Sequence, residues 1–151
     1  MDGNLEELHA VACRMRAAIE AARDAGEAEG TFMVDFPHGQ CDDASGMLAS
    51  YLEDCGFGSW ELVVGHRPPK FHAWLERDGV ILDITADQFD DEGHPPVVVT
   101  RDRAWHAQFD EVSRRRARPR LNEIEHTSTR EGLMRFHEAV RGRLPDTPDV
   151  E

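Results

Sequence analysis

Apolar residues recur at helical spacing over the first part of the chain. Residues 4–25 are predicted to form an amphipathic helix, because their apolar positions lie three or four residues apart. These positions are Leu5, Leu8, Ala12, Met15, Ile19 and Ala22. A second amphipathic helix is predicted to begin near Cys41 and to stop at Gly56, a residue type that commonly ends helices. Between the two helices, the apolar stretch Thr31 to Phe36 is predicted to be extended.

The middle of the chain shows short apolar runs of strand length. The three strand candidates are Trp60 to Gly65, Phe71 to Arg77 and Val80 to Thr85. Asp78-Gly79, between the last two, is typical of a two-residue type I′ hairpin turn. Val97 to Thr100 is predicted to add an edge strand. These patterns together indicate an antiparallel sheet.

Helices are predicted again after the strands, over Ala104 to Val112 and Arg130 to Leu144. The last residues, from about residue 145, are expected to fray. This order indicates an α+β fold, in which N-terminal helices pack on a small antiparallel sheet and C-terminal helices follow. Residues 1–151 are expected to form a single domain, because the length suits one core and no linker or repeat interrupts it.

The predicted hairpin brings two chemically active side chains together. A two-residue turn pairs Trp74 with Asp83, which makes His72 a diagonal neighbour of Asp83 on one mostly polar face. Diagonal neighbours have Cβ atoms roughly 7 Å apart, a gap that a histidine and an aspartate can bridge. The carboxylate would then fix the tautomer of the imidazole, whereas a slip of one residue would send the two to opposite faces. The opposite face is predicted to be the core face, with the residues Ala73, Leu75, Val80, Leu82 and Ile84.

Cys41 is the candidate nucleophile, because it lies at the predicted start of a helix whose apolar face packs inward. A helix N-terminus and an adjacent imidazolium both favour a thiolate. With His72 as base and Asp83 as the residue that orients it, the thiolate can attack a carbonyl carbon and the imidazolium can protonate the leaving amine. The oxyanion is expected to be held by amides at the helix start, with the Gln40 or Trp74 side chain as a helper.

Each candidate also has a purely structural interpretation. Cys41 can be a buried structural thiol, and His72 a core histidine bonded to a backbone carbonyl. Trp74 fits packing as well as a substrate wall, and Gln88 fits a hydrogen-bonded loop residue as well as a substrate contact. Asp83 is harder to explain in this way, since an unpaired carboxylate within an apolar strand is costly.

The other cysteines and histidines are given structural roles. Cys13 and Cys55 are predicted to be small buried apolar residues, and three cysteines in all do not indicate a disulfide framework. A zinc site is disfavoured, because the chain has no Cys-x-x-Cys or His-Glu-x-x-His spacing. Its ligands would come from scattered elements: His38, Cys41, His66 and His72. No metal or cofactor is therefore predicted. The histidines without a spacing pattern are predicted to lie on the surface: His9, His94, His106, His126 and His137.

The charge of the chain narrows the classes of partner. Seventeen Lys and Arg against thirty Asp and Glu give a formal net charge of −13, which disfavours nucleic acid and anionic membranes as partners. The basic cluster Arg114 to Arg120 is interpreted as a solvated face or an internal partner for acidic groups, in preference to an anion site. The absence of a long apolar run and the acidic start of the chain predict a cytoplasmic protein.

Four segments, in this order and spacing, resemble the transglutaminase-like branch of the papain-like cysteine enzymes: GQCDDASGMLASYLEDCGF, ELVVG, FHAWLE and ILDIT. The resemblance implies a papain/transglutaminase-like fold, with Cys41 as nucleophile, His72 as base and Asp83 as orienting acid. The stretch ADQF (Ala86 to Phe89) extends the resemblance to bacterial members. Ile84 departs from the family, which often has Pro between the Asp and the Thr of the last motif.

The resemblance implies a thiol hydrolase or acyltransferase that cleaves or transfers an acyl group at an amide. Peptidase, amidase, deamidase and transglutaminase activities all stay open, as does the oligomeric state. The expected substrate is a peptide, a protein or a small amide. The alternative is a catalytically silent papain-like module that recognises a peptide or protein partner.

Overall fold

The computed structural model describes residues 2–38, 41–119 and 127–145. Within these ranges the chain forms helices and one antiparallel sheet, which confirms the predicted α+β class. The helices are α1 (Asp2–Asp24), α2 (Cys41–Asp54) and α3 (Thr127–Gly142). The strands are β1 (Glu61–Arg67), β2 (Lys70–Arg77), β3 (Val80–Asp83), β4 (Val98–Thr100) and β5 (Asp110–Arg116). None of the described helices is both long enough and apolar enough to cross a membrane.

The five strands are arranged in the order β4-β3-β2-β1-β5, and each neighbouring pair is antiparallel. The β2–β3 hairpin has the predicted register, since Arg77 pairs with Val80 and Leu75 with Leu82. Its turn is left-handed at both positions, as a type I′ turn requires. Strand β2 therefore lies at the centre of the sheet, with β3 beside it.

One face of the sheet packs on the helices and forms the main core. The predicted core residues of the hairpin all lie there, among them the fully buried Leu75 and Leu82. Leu48 and Leu52 of α2 and Ile19 of α1 belong to the same apolar cluster. Helix α2 is therefore held against the hairpin, and its first residue is fixed relative to the sheet.

The other face of the sheet is covered as well, by aromatic side chains from the loops on either side of β4. We call Phe89, Trp105, His106 and Phe109 the aromatic cover. Phe89 and Phe109 form a second apolar cluster with Trp74 and two other sheet residues, and Trp105 packs against it. The face that carries His72 and Asp83 is consequently buried, and both side chains have no exposed surface.

Two predicted elements are wrong. Residues 104–112 are not a helix: a short 3-10 turn (His106–Gln108) leads into β5, which completes the open edge of β1. Local apolar spacing is overridden here, because Phe109 packs on the sheet and the backbone of β1 needs a partner. The stretch from Thr31 to Phe36 is also not extended but forms a 3-10 helix (Phe32–Asp35).

The basic cluster supplies partners for acidic groups, as one of its two interpretations predicts. Arg114 contacts three carboxylates, and Arg116 lies 2.5 Å from Glu53 of α2. Arg115 lies 3.5 Å from Asp42, next to Cys41. Ion pairs therefore connect strand β5 to α2.

The predicted fraying from about residue 145 falls outside the described residues.

Candidate active site

Cys41 is the first residue of α2 and is half-buried. Its position gives it the partial positive charge of a helix N-terminus. Asp42 and Asp43 in the same turn carry negative charge, but each has a basic partner, Arg115 at 3.5 Å and His137 at 3.0 Å. Asp42 therefore has a cationic partner, and Asp43 has a hydrogen-bond partner.

His72 and Asp83 are joined by a short hydrogen bond across the hairpin. The Nε2–H of His72 donates to Oδ2 of Asp83 over 2.7 Å, and both side chains are fully buried. The other carboxylate oxygen, Oδ1, accepts from the backbone N–H of Thr85 at 3.0 Å. Asp83 thus has both oxygens engaged, which fixes the plane of the carboxylate and, through it, the ring of His72.

The charges of this pair support each other. Burial lowers the pKa of His72, but the charge and hydrogen bond of Asp83 and the interaction with Cys41 outweigh it and raise the pKa to about 9. Burial also acts against the charged form of Asp83, yet the neighbouring imidazoles hold the pKa of its carboxyl well below its ordinary value. The favoured state at neutral pH is therefore an imidazolium beside a carboxylate.

The second ring nitrogen of His72, Nδ1, is not bonded to Asp83. Because Nε2 is bonded to Asp83, Nδ1 is the nitrogen left for the hydrogen bond with Cys41 that helps to raise the pKa of His72. The Nε2 amide of Gln88 also lies 3.0 Å from Nδ1. When the ring is neutral, Nδ1 accepts a hydrogen bond from the thiol or from the Gln88 amide. When the ring is charged, Nδ1–H donates to a thiolate or to the amide oxygen of Gln88, which a rotation of the amide group brings towards the ring. Gln88 is a hydrogen-bonded residue at the site, as one of its two interpretations holds.

His106 is a site residue that the sequence interpretation placed on the surface, and that prediction is wrong. Its side chain is 3% exposed, and its Nε2 lies 2.8 Å from the same Oδ2 of Asp83 that His72 contacts. Trp74 and Trp105 flank the ring, each at a centroid distance of 4.8 Å. The only local signal of a buried position at His106 is that aromatic residues lie near it in the sequence. That signal does not indicate its partner Asp83, which lies on β3.

The two residues predicted to help hold the oxyanion, Gln40 and Trp74, have different outcomes. Gln40 lies outside the described residues. Trp74 is buried, and its indole N–H donates to Oε2 of Glu76 over 2.7 Å. Glu76 is in turn bound by both terminal nitrogens of Arg103, at 3.0 and 2.8 Å. The Trp74 indole is therefore committed to a bond beneath the aromatic cover.

Other cysteines and histidines also depart from their predictions. Cys13 and Cys55 are half-buried at the edge of the core and not fully enclosed, and the Cys13 sulfur lies 3.5 Å from His9. His137 is buried against Asp43, where a surface position was predicted. The disfavoured zinc ligands are engaged elsewhere, since His38 contacts Asp90 and His66 stacks on Phe71.

Among the described residues, His72, Asp83 and His106 are the group whose ligand atoms lie close enough to bind a metal ion, all within 4.8 Å of one another. The two imidazoles, however, approach a single oxygen at 2.7 and 2.8 Å. Those are ordinary lengths for hydrogen bonds from imidazole to carboxylate. The geometry therefore fits two donors on one acceptor better than three ligands around an ion.

The candidate active site consists of a thiol at a helix start, an imidazole whose pKa the thiol helps to raise, and a carboxylate that two imidazoles share. No family model, curated protein or solved structure matches the chain significantly.

Proposed function

We propose that the protein is a cysteine-nucleophile enzyme that cleaves or transfers an acyl group at an amide. The observation that carries the proposal is the 2.7 Å hydrogen bond from His72 to Asp83, together with the interaction by which the Cys41 thiol helps to raise the pKa of the same imidazole. Each member has the environment that its role needs: a helix start for the thiol, a charged partner for the imidazole, and three donors for the carboxylate.

The reaction follows from these contacts. The reactive state is a Cys41 thiolate beside the His72 imidazolium, which is reached when Nδ1 of the neutral ring takes the thiol proton. The Cys41 sulfur then attacks the amide carbon to form a tetrahedral adduct. Collapse of the adduct breaks the C–N bond, and the imidazolium gives its proton to the leaving amine. The resulting thioester is resolved by water, for hydrolysis, or by a second amine, for transfer. Asp83 stays ionised throughout and stabilises the imidazolium.

The arrangement of the elements supports a papain/transglutaminase-like fold as part of this proposal. Helix α2 begins with the nucleophile and packs on an antiparallel hairpin that carries the imidazole and the carboxylate on adjacent strands. Ile84, at the position where the resembling family often has Pro, is buried, and its carbonyl accepts a 2.7 Å hydrogen bond from Arg16 of α1. The departure from the family is thus accommodated without loss of the hairpin.

A second candidate function is a binding module that keeps the arrangement without turnover. The observation that favours it is the complete burial of His72 beneath the aromatic cover. A catalytic imidazole has to reach the leaving group, so full enclosure suits a structural histidine better. Cys41 is half-buried, however, so part of the nucleophilic residue is exposed to solvent.

Alkylation by iodoacetamide separates the two candidates, with sites and rates read by mass spectrometry near pH 6.5. The enzyme proposal expects Cys41 to react at least about tenfold faster than Cys13 and Cys55, which serve as internal controls. His72→Gln is expected to remove that advantage, whereas the matched control His66→Gln is expected to keep it. Similar rates at all three thiols in the unaltered protein, or a Cys41 rate that His72→Gln does not change, would support the binding module.

A further inference from the structure

The second imidazole on Asp83 takes no part in the proton transfers of the proposed reaction. His106 lies in the turn before β5, and its ring is held between Trp74 and Trp105. Its Nε2 reaches Oδ2 of Asp83 at 2.8 Å, and its centroid is 6.3 Å from that of His72. A buried histidine so placed is a fixed donor to the carboxylate.

Sharing one oxygen changes what the carboxylate can do for His72. Each hydrogen bond that Asp83 accepts lowers its affinity for a proton and spreads its charge over more donors. With His106 in place, Oδ2 attracts the His72 imidazolium less strongly than an oxygen reserved for that ring. The imidazolium then keeps enough acidity to release its proton to a leaving amine.

We propose that His106 is a positioning residue, which holds Asp83 in line with His72 and moderates the pull of the carboxylate on the imidazolium. The inference rests on the proposed function, since it assigns His106 a role in that reaction. Among the described residues, Cys41 from α2 acts on His72, and His106 from the aromatic cover acts on Asp83. Of these two groups, His106 is the one whose ring contacts the carboxylate.

Histidine ring NMR on the full chain tests the inference first in the unaltered protein. A donor to Asp83 must carry its proton on Nε2, so ¹⁵N shifts are expected to identify His106 as the Nε2–H tautomer. The Nδ1–H tautomer would overturn the inference whatever any variant does. One tightly bound metal ion per chain, measured by native mass spectrometry, would overturn it too, because both rings would then be ligands and not donors.

Two variants then test the coupling. His106→Phe keeps an aromatic ring but removes the donor, so the titration midpoint of His72 is expected to rise by about one unit. His106→Gln places an amide donor near the same point and is expected to restore the original midpoint. A loss of packing alone would not be reversed by glutamine. An unchanged His72 midpoint in a folded His106→Phe protein would overturn the inference.

The outcome is distinguishable from failure of the enzyme proposal. If Cys41 alkylation depends on His72 while the His72 midpoint ignores His106, the inference about His106 is overturned and the enzyme proposal stands. If Cys41 shows no selective alkylation, the enzyme proposal fails, and with it the role of His106 in a reaction.

Discussion

His72 and Asp83 meet at 2.7 Å across the β2–β3 hairpin, and neither side chain has any surface exposed to solvent. A charged pair in such a place is expensive to bury, because both groups give up their hydration. The cost is offset when further donors satisfy the carboxylate, and Thr85 and His106 supply them. Removal of any one partner therefore has consequences for the others.

Replacing the carboxylate by an amide tests the orienting role of Asp83. In Asp83→Asn the amide has one oxygen for donors that formerly had two, and it brings an NH₂ group towards rings that also donate. We expect a folded protein that is less stable by about 3 kcal/mol, measured by urea unfolding. The imidazole tautomer would be wrong for catalysis, so turnover is expected to fall on the order of a thousandfold or more. Turnover at the original rate would deny Asp83 any orienting role.

Stability is expected to depend on pH through His72. Its pKa is raised from the ordinary 6.5 to about 9, so its contribution is fully present below pH 6.5 and is lost as the pH rises through 9. The loss is at most about 3 kcal/mol. Asp83 acts in the opposite sense: its lowered pKa gives stability above its ordinary value of 3.8, which is lost as the pH falls.

The measurement is the free energy of unfolding at several pH values for the original protein and for His72→Gln. The difference between the two curves is expected to shrink between pH 6.5 and pH 9, because only the original protein has an imidazolium to lose. Parallel curves over this interval would contradict a raised pKa for His72.

Substitution of Gly65 tests how tightly the aromatic cover packs on the sheet. A methyl group there would lie 2.6 Å from Cβ of Phe109 and 3.1 Å from the ring of Trp74, closer than side chains tolerate. Gly65→Ala is therefore expected to lower the free energy of unfolding by about 1–3 kcal/mol. The matched control is Gly142→Ala in α3, where nothing lies within 4 Å of the added methyl. Thermal unfolding that shows equal stability for the two variants would mean that the cover shifts freely.

Substitution of Arg16 tests the hydrogen bonds that anchor α1 to the segment that carries Gln88. Its guanidinium donates to the Ile84 carbonyl at 2.7 Å and to both oxygens of Asp87 at 2.8 Å. Lysine keeps the charge but cannot make these contacts at once, so Arg16→Lys is expected to cost about 1–3 kcal/mol in chemical unfolding. Arg143→Lys, at an exposed helix end, is the control and is expected to stay within about 0.5 kcal/mol. Equal effects at both positions would show that the anchor adds nothing.

Much of the fold could be predicted because its signals are local. The Asp78-Gly79 turn sets the hairpin register, and that register places His72 beside Asp83. Cys41 was predictable as a helix start from the apolar stripe that follows it. These three residues lie within elements whose own patterns are strong.

The rest depends on contacts between distant segments. Residues 104–112 have apolar spacing that suits a helix, but the unpaired edge of β1 and the packing of Phe109 select a strand. The same segment carries His106, so an error about its structure concealed a residue of the site. No hydrophobic period or turn signal in the sequence indicates that His106 and Asp83 are in contact.

The shared oxygen of Asp83 makes positions 72 and 106 a single thermodynamic unit. Replacing either ring alters the bond that the other one makes, so the cost of losing both differs from the sum of the separate costs. The sign of that difference reports whether the rings compete for the oxygen or cooperate through it. A substitution at one position therefore redefines which residues the other can accept.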